Sequence, residues 1–210
     1  VSGNLETEWM WAIASHPSAE ILATAGTGRA INFWDIRTRE CITSLEGHTH
    51  RIRAITFNEN GKLIASSSDD FSIRLWDMET QQCLKLFEGH TGEIRALTFI
   101  PPSRNIPEML VSASDDHTIR LWDTQTGCFK VLTGHQDRIW SVCYSPQLNV
   151  LFSCGEDETI KFWDIHALKC IKTLTIPKPY EGMNINGVSG LNSATLQSLR
   201  VLGASVQAPE

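Results

Sequence analysis

The residues with the clearest potential for chemistry are a histidine, a serine and an aspartate that recur together. His90 is followed by Ser112 and Asp116, and these are the residue types of a hydrolytic base, nucleophile and acid. The same set appears twice more, as His48, Ser66 and Asp70 and as His135, Ser153 and Asp157. An enzyme needs one such site, so the repetition favours a structural role, and we predict no catalytic residues.

Other short motifs also allow a chemical interpretation, and each has a simpler structural one. Adjacent acids such as Asp69-Asp70 could act as an acid/base pair, but they stand where a tight turn is expected. Gly26-Thr27-Gly28 could hold a phosphate, yet it joins two strands and opens no helix. His48-Thr49-His50 could begin a metal site, but it lacks a third ligand. The sequence therefore predicts neither a metal nor a cofactor.

The elements that must position these residues form an internal repeat. Trp-Asp occurs at residues 34, 76, 122 and 163, and Gly-His occurs at 47, 89 and 134. Each repeat contains four strand-like runs separated by turn residues; in the second repeat they cover 51–57, 62–66, 71–76 and 82–87. The third repeat has extra residues between its first two runs. Three prolines there predict a longer surface loop, because proline cannot donate to a strand ladder.

A period of about 40 to 45 residues that carries Gly-His and Trp-Asp is typical of propeller blades. On these residues, over about 9–174, the chain resembles the WD-repeat β-propeller family. The resemblance implies an all-β fold of about four blades, each with four antiparallel strands, which together form a partial propeller. The blades are expected at 9–46, 47–88, 89–133 and 134–174, after an N-terminal lead-in at 1–8.

In that family, the His of Gly-His, a Ser or Thr on the second strand, the turn Asp and the Trp form one hydrogen-bonded chain. The resemblance assigns this role to His48, Ser66, Asp70 and Trp76; to His90, Ser112, Asp116 and Trp122; to His135, Ser153, Asp157 and Trp163; and, in the first repeat, to Thr24 and Trp34. The first repeat has Gly28 in place of the Asp and Leu5-Glu6 in place of Gly-His. We therefore expect it to be the least firmly held blade.

A second set of residues is expected on the face where propellers bind their partners. By the family's pattern, these residues flank the first apolar residue of each first strand or stand directly before the turn Asp. The set contains Trp9, Trp11, Arg51, Arg53, Asp69, Glu93, Arg95, Asp115, Arg138, Trp140 and Glu156. Aromatic residues together with arginines are what interaction hot spots favour. The alternative is that Trp11 and Trp140 simply pack against neighbouring blades.

The composition is that of an ordinary globular protein, with 41% hydrophobic and 20% charged residues among 210. The formal charge of -6, with scattered Lys and Arg, predicts no nucleic-acid and no membrane partner. One repeat position holds a cysteine four times: Cys41, Cys83, Cys128 and Cys170. A full blade should separate these residues, which is too far for disulfides. We predict them to be small buried hydrophobes in a reducing, cytoplasmic compartment.

A C-terminal tail at 175–210 differs in style from the repeats and is expected to contain a short helix at about 193–202, with Gly203 as its C′ residue. The tail resembles the C-terminal end of bacterial WD-repeat proteins in which an ATPase module of the NB-ARC (STAND) type often precedes the propeller. This resemblance depends on residues 180–191, 194–196 and 202–204. The 210 residues themselves contain no ATPase motif.

Together these features predict a non-catalytic scaffold for protein–protein interaction, the sensing or recognition part of a larger signalling protein. The alternative is the regulatory propeller fragment of an NB-ARC/STAND-type ATPase whose catalytic module is absent here. The chain begins with Val and supplies four blades, whereas the family typically has seven. We therefore expect a fragment, completed by blades of the same parent chain or by a second copy, with protein partners that the sequence does not name.

Overall fold

A computed structural model of the chain describes residues 9–103, 106–175 and 193–205. These residues form sixteen β-strands and one α-helix. The chain divides into two compact units, residues 1–174 and 175–210. The predicted lead-in at 1–8 lies outside the described residues.

Four consecutive strands form each sheet, and every strand is antiparallel to the one before it within its sheet. Sheet 1 contains β1 (Met10–Ser15), β2 (Ile21–Gly26), β3 (Ala30–Asp35) and β4 (Cys41–Glu46). Sheet 2 contains β5 (Ile52–Phe57), β6 (Leu63–Ser68), β7 (Ile73–Asp77) and β8 (Cys83–Phe87). Sheet 3 contains β9 (Ile94–Ile100), β10 (Met109–Ser114), β11 (Thr118–Asp123) and β12 (Phe129–Thr133). Sheet 4 contains β13 (Ile139–Ser145), β14 (Val150–Gly155), β15 (Thr159–Asp164) and β16 (Lys169–Thr175). The predicted all-β fold is confirmed.

The third strand of a sheet is apolar on both faces because it lies between two neighbouring sheets. In β7, Ile73 and Leu75 pack towards sheet 3, while Trp76 packs towards sheet 1. Alternate residues of a strand point to opposite faces, so both sets of side chains are buried. This explains why apolar side chains occur on both faces of the strand, with Arg74 as the one interruption between Ile73 and Trp76.

Three apolar cores lie between consecutive sheets, and the first strands β1, β5, β9 and β13 contact one another in chain order. Each core combines the Trp-bearing face of one sheet with the opposite face of the sheet before it. Trp122 therefore packs against Phe87, with the ring centroids 5.4 Å apart. Apolar burial between sheets supplies the main driving force for this arrangement.

The two end sheets each have one face that no further sheet covers among the described residues. On sheet 1, this is the Trp34 face, where Ile13 is 69% exposed. On sheet 4, it is the opposite face, where the rings of Phe152 and Phe162 stack edge-on with centroids 4.8 Å apart. Ile160 lies on the same face and is 37% exposed. Sheets 1 and 4 therefore each have an outer face with apolar side chains that no other sheet of the described residues covers.

The prediction that the repeated cysteines are buried is wrong. Cys41, Cys83, Cys128 and Cys170 are all exposed free thiols. They lie at or next to the start of the fourth strand of each sheet, which is the outermost strand and is mostly exposed. A position can recur in every repeat and still face solvent, since the fold repeats its surface as well as its core.

The longer connection of the third repeat lies between β9 and β10, and its bridge joins Ser103 to Ile106. In the second unit, the predicted short helix is confirmed as α1 (Ser193–Val201). The helix is followed by Gly203, which has φ 104°. The Ala204 amide donates to the Leu199 carbonyl and the Gly203 amide to the Arg200 carbonyl, the pattern of a Schellman cap. Residues 180–191 of the tail lie outside the described residues.

Candidate functional site

A linear chain of hydrogen bonds, which we call the relay, runs through sheet 3. The Trp122 indole N–H donates to Ser112 Oγ at 2.8 Å, and the Ser112 hydroxyl contacts His90 Nε2 at 2.7 Å. His90 Nδ1 lies 2.7 Å from Asp116 Oδ2. Ser112 is fully buried and His90 is 5% exposed. The relay ties the loop before β9 to β10, to the following turn and to β11.

Sheets 2 and 4 contain the same relay. In sheet 2 the Trp–Ser, Ser–His and His–Asp distances are 2.9, 2.8 and 2.8 Å; in sheet 4 they are 2.8, 2.6 and 2.9 Å, for the sets His48, Ser66, Asp70, Trp76 and His135, Ser153, Asp157, Trp163. In sheet 1 only the last step is present: Trp34 Nε1 donates to Thr24 Oγ1 at 2.8 Å. Gly28 offers no carboxylate, and residues 5 and 6 lie outside the described residues.

The direction of each relay follows from what its groups can donate and accept. An ionised Asp only accepts, so the facing His Nδ1 must carry the proton. The other ring nitrogen then accepts from the serine hydroxyl, and the serine oxygen accepts from the indole. Each buried donor in the chain finds an acceptor, which matters because an unpaired buried polar group costs about 1 to 3 kcal/mol.

The pKa values of the relay favour an ionised aspartate and a neutral histidine. Burial alone would raise the pKa of Asp116, but the hydrogen bonds from His90 and Thr118 outweigh it and hold that pKa well below its usual value. Burial also acts to raise the pKa of Asp157, but hydrogen bonds from the Gln136 amide, Thr159 and His135 lower it to about 2. Burial lowers the pKa of His90 and of His135 by more than the facing aspartates raise it. These shifts agree with the direction of the hydrogen bonds.

A catalytic interpretation of the relay fails on the position of the serine. Ser66 and Ser112 are fully buried and Ser153 is 3% exposed. A nucleophilic oxygen must reach a substrate, whereas each of these oxygens already accepts an indole proton and faces the apolar core between sheets. The three residues are arranged like a catalytic triad, but their hydrogen bonds serve to hold the strands, the turn and the loop of each sheet together.

Two further sets of polar residues support the relay, and the sequence reasoning missed both. The residue two positions after each relay Asp donates its amide and its hydroxyl to Asp Oδ1; the three residues are Ser72, Thr118 and Thr159. The Asp of each Trp-Asp pair accepts two amides of the next turn; these are Asp35, Asp77, Asp123 and Asp164. The signal was present, since both positions recur in the repeats at constant offsets.

A second cluster, which we call the arginine–carboxylate row, crosses from sheet 2 to sheet 4. It contains Arg53, Asp69, Glu93, Arg95, Asp115, Arg138 and Glu156. Arg95 contacts Asp115 through two bonds of 2.9 and 2.7 Å and lies 2.8 Å from Glu93. The same Glu93 lies 3.1 Å from Arg53 of the neighbouring sheet. The row therefore links side chains across the junctions between sheets.

Tryptophan rings lie at both ends of this row. The Arg53 guanidinium lies 4.4 Å from the Trp11 ring centroid, and Arg95 lies 5.1 Å from that of Trp140. Arg51 also approaches the Trp11 ring, at 5.5 Å. Trp11 is 38% and Trp140 is 45% exposed. Each ring packs on an arginine of a neighbouring blade, as the alternative expected, and keeps more than a third of its surface in solvent. The role in partner binding stays a prediction.

Trp9 relates to the row differently from the other residues of the predicted face. Its side chain is 68% exposed. Its backbone amide donates to Thr27 Oγ1 at 3.0 Å, and its carbonyl accepts from the Thr27 amide at 2.9 Å. The structure thus places Trp9 on the rim of sheet 1, where its ring extends into solvent.

Residues 9–103, 106–175 and 193–205 contain no cluster of three or more His, Cys, Asp or Glu side chains placed to hold a metal ion. Within the same residues, no helix has the length and apolar character required to cross a bilayer.

Comparison with known proteins agrees with the repeated relay. The profile of the family described as "WD domain, G-beta repeat" matches residues 39–77, 81–123 and 126–164, which together are more than half of the chain. The chain belongs to this WD-repeat family. Each matched repeat contains the fourth strand of one sheet and the first three strands of the next. Each WD repeat therefore contributes strands to two neighbouring sheets, so the sheets are linked through the repeat itself.

Individual relatives match over about one repeat each. The "Probable cytosolic iron-sulfur protein assembly protein CIAO1 homolog" of Nematostella vectensis is 59% identical over 32 residues, 15% of this chain and 10% of that protein. "WD repeat-containing protein 18" of Bos taurus is 34% identical over 50 residues, 24% of this chain and 12% of that protein. The chain thus matches only about a tenth of the length of these relatives. WD repeats are protein-interaction scaffolds, and this is the class to which the family assigns the chain.

We predict that Asp116→Ala destabilises the protein more than Asp115→Ala. Loss of Asp116 leaves the buried His90 N–H unpaired, at about 2 to 3 kcal/mol in the free energy of unfolding. Loss of Asp115 leaves Arg95 still paired with Glu93, at about 1 kcal/mol. Chemical denaturation of the two variants measures the difference. Equal losses would show that the relay contributes nothing special to stability.

Proposed function

We propose that this WD-repeat chain is a non-catalytic scaffold that binds a protein partner across the arginine–carboxylate row and the tryptophans beside it. The observation that supports the proposal most strongly is the placement of Trp11 and Trp140. Each ring is held by an arginine from another sheet, yet remains more than a third exposed. Rigid, partly exposed aromatic rings next to arginines have the composition of interaction hot spots.

The charged side chains of the row present a fixed pattern of positive and negative groups that a protein partner can recognise. Arg53, Asp69, Arg95 and Asp115 have side chains 14 to 20% exposed, so they are held in place by their mutual bonds. Arg138 and Glu156 are about half exposed, with contacts of 3.8 to 3.9 Å. These two looser charges at the sheet 4 end can exchange their partners for those of an arriving protein. Charged pairs at an interface contribute to specificity and association rate more than to affinity.

The relatives support the general class rather than a particular partner. Each match spans about one repeat, which is too little to carry over the assembly role in the name of the CIAO1 homolog. Its name also places that protein in the cytosol, and we propose a cytoplasmic location for this chain. A role as the recognition part of a larger signalling protein stays a prediction. The ATPase-linked alternative also stays a prediction, since its basis lies mostly in tail residues outside the described part of the chain.

The uncovered end faces lead us to propose that further blades complete the propeller, from the same parent chain or from a second copy. The Trp34 face of sheet 1 has the type of surface that packs on a preceding sheet at all three junctions. Light scattering after size-exclusion chromatography of the isolated chain tests this. We expect self-association above the 23.5 kDa of one chain. A cooperatively folding monomer would contradict it.

We expect a photo-crosslinking amino acid at position 140 or 11 to capture a discrete protein in cells that express the chain. Leu148 is the matched control, because it is 66% exposed but lies in the turn between β13 and β14, away from the row. Mass spectrometry of the crosslinked bands identifies the partner. Capture of the same proteins from position 148, or capture from that position alone, would refute the proposed face.

A further inference from the structure

A cavity of about 320 Å³ lies between sheets 3 and 4, away from the row. Its lining includes four buried apolar side chains from both sheets: Ile100, Met109, Leu121 and Ile165. Ile106 and Pro107, from the longer connection of the third repeat, add to the wall. Cavities of this size and apolar character are typical of binding pockets.

The equivalent places at the other two junctions are filled by polar contacts. Between sheets 2 and 3, Asn58 stands where the third repeat has Ile100. Asn58 is 2% exposed, and its side-chain amide donates to Glu108 Oε1 at 3.0 Å. Between sheets 1 and 2, His16 packs edge-on to Phe57 at 5.2 Å, and its Nε2 lies 3.1 Å from the Gly61 carbonyl. Ile100 can form neither type of bridge, so the cavity remains at the third junction.

A second difference between the junctions concerns one position on the fourth strand. In sheets 1 to 3 this position pairs with the same position of the third strand; the pairs are Thr43 with Phe33, Lys85 with Leu75, and Lys130 with Leu121. Thr43 Oγ1 donates to Gln81 of the next sheet at 3.2 Å, and Lys85 Nζ donates to the Gln125 carbonyl of the next sheet. Lys130 has no hydrogen-bond or ion-pair partner within the described part of the chain. It lines the cavity instead.

We infer that this cavity is a second docking site, which takes an apolar side chain of a protein partner with a carboxylate beside it. The inference rests on the proposed scaffold function and adds a site to it. The apolar residues at the bottom of the cavity favour an apolar side chain of the partner, because burial of that side chain there removes hydrocarbon from water. The ammonium of Lys130 accounts for the carboxylate, because among the described residues no hydrogen-bond or ion-pair partner engages it.

The other polar groups at the rim do not offset this preference. Asp123 is ionised, but its Oδ1 accepts the amides of Gln125 at 2.8 Å and Thr126 at 2.7 Å, so it belongs to the turn. These amides are the main cause of its lowered pKa. His166 also lines the mouth and adds no negative charge. The exposed strand β12 borders the cavity and leaves room for a partner chain to pass.

The exposed thiol of Cys128 lines the cavity and allows a direct test by reversible disulfide capture. The probes are the tripeptides Cys-Leu-Glu, Cys-Ser-Glu and Cys-Leu-Lys, each acetylated at its N-terminus and amidated at its C-terminus so that only the third side chain is charged. Each is supplied as its mixed disulfide with 2-mercaptoethanol. The Cys128 thiolate attacks the probe disulfide, forms a mixed disulfide with the tripeptide and releases 2-mercaptoethanol. Excess 2-mercaptoethanol keeps the exchange at equilibrium, and mass spectrometry measures the occupancy at each cysteine.

Cys83 is the internal control, because it is exposed, occupies the same repeat position and also has a lysine two residues on. We expect Cys-Leu-Glu to occupy Cys128 over Cys83 by roughly fivefold or more, a difference that burial of one leucine side chain can supply. Cys-Ser-Glu should show a smaller preference, since it keeps the carboxylate but lacks the leucine. Lys130→Ala should lower the capture of Cys-Leu-Glu to that of Cys-Leu-Lys. Since Lys130 is exposed, the variant should fold normally.

Equal occupancy of Cys128 and Cys83 by the leucine probes would overturn the inference. A preference for Cys-Leu-Lys would also overturn it, since Asp123 would then be the recognition group. The probes do not contact the row. Failure of this test would therefore leave the crosslinking result at position 140 unaffected, and the two proposals can be judged separately.

Discussion

The structure depends on a buried serine hydroxyl that must donate and accept at the same time. In sheet 3, Ser112 accepts from the Trp122 indole and donates to His90, and Asp116 holds the other side of the imidazole. Because each group is buried, the loss of one member leaves its neighbour without a partner. The relay thereby positions three things together: the loop between sheets, the turn after the second strand, and the Trp ring that packs on the preceding sheet.

The relay also requires its histidines to be neutral and its aspartates to be ionised. The folded protein keeps His90 and His135 neutral and Asp116 and Asp157 ionised. The unfolded chain would bind protons at histidine near the ordinary pKa of 6.5, so stability is lost as the pH falls below that value. A lowered aspartate pKa acts in the same direction below about 3.8. Both effects mean that acid weakens the relay and alkali does not.

The sequence predicts well what is repeated and predicts poorly what happens between sheets. The four copies of Trp-Asp and three of Gly-His are enough to predict the strands of each repeat. The family resemblance, together with the constant spacing of Ser66 and Asp70, predicts the relay residues from the sequence alone. The role of Thr118 beside the relay was not predicted, since Ser and Thr are common residues of any tight turn. The cysteines were misassigned because repetition says nothing about which strand is outermost. The cavity was not foreseen, since it depends on how Ile100 meets Ile165 across two repeats.

Function in this chain is expected where the repeats differ from one another. The relay is nearly identical in sheets 2 to 4, and it serves stability in each. In the row, sheets 2 and 3 each supply an Arg–Asp pair, whereas Trp140 takes the place of this arginine in sheet 4. Within the described residues, the junction between sheets 3 and 4 lacks the polar bridge that Asn58 and Lys85 supply one junction earlier. The scaffold thus tolerates local departures, because each of sheets 2 to 4 is held by its own relay.

The most direct test of the relay is nitrogen-15 NMR of the histidine rings, which distinguishes the two neutral tautomers and the protonated form. We expect His48, His90 and His135 to carry their proton on Nδ1. We also expect His90 and His135 to become protonated only at a lower pH than an ordinary histidine, because burial lowers their pKa. A proton on Nε2 of the neutral ring, or a charged ring for His90 or His135 at pH 7, would contradict the account.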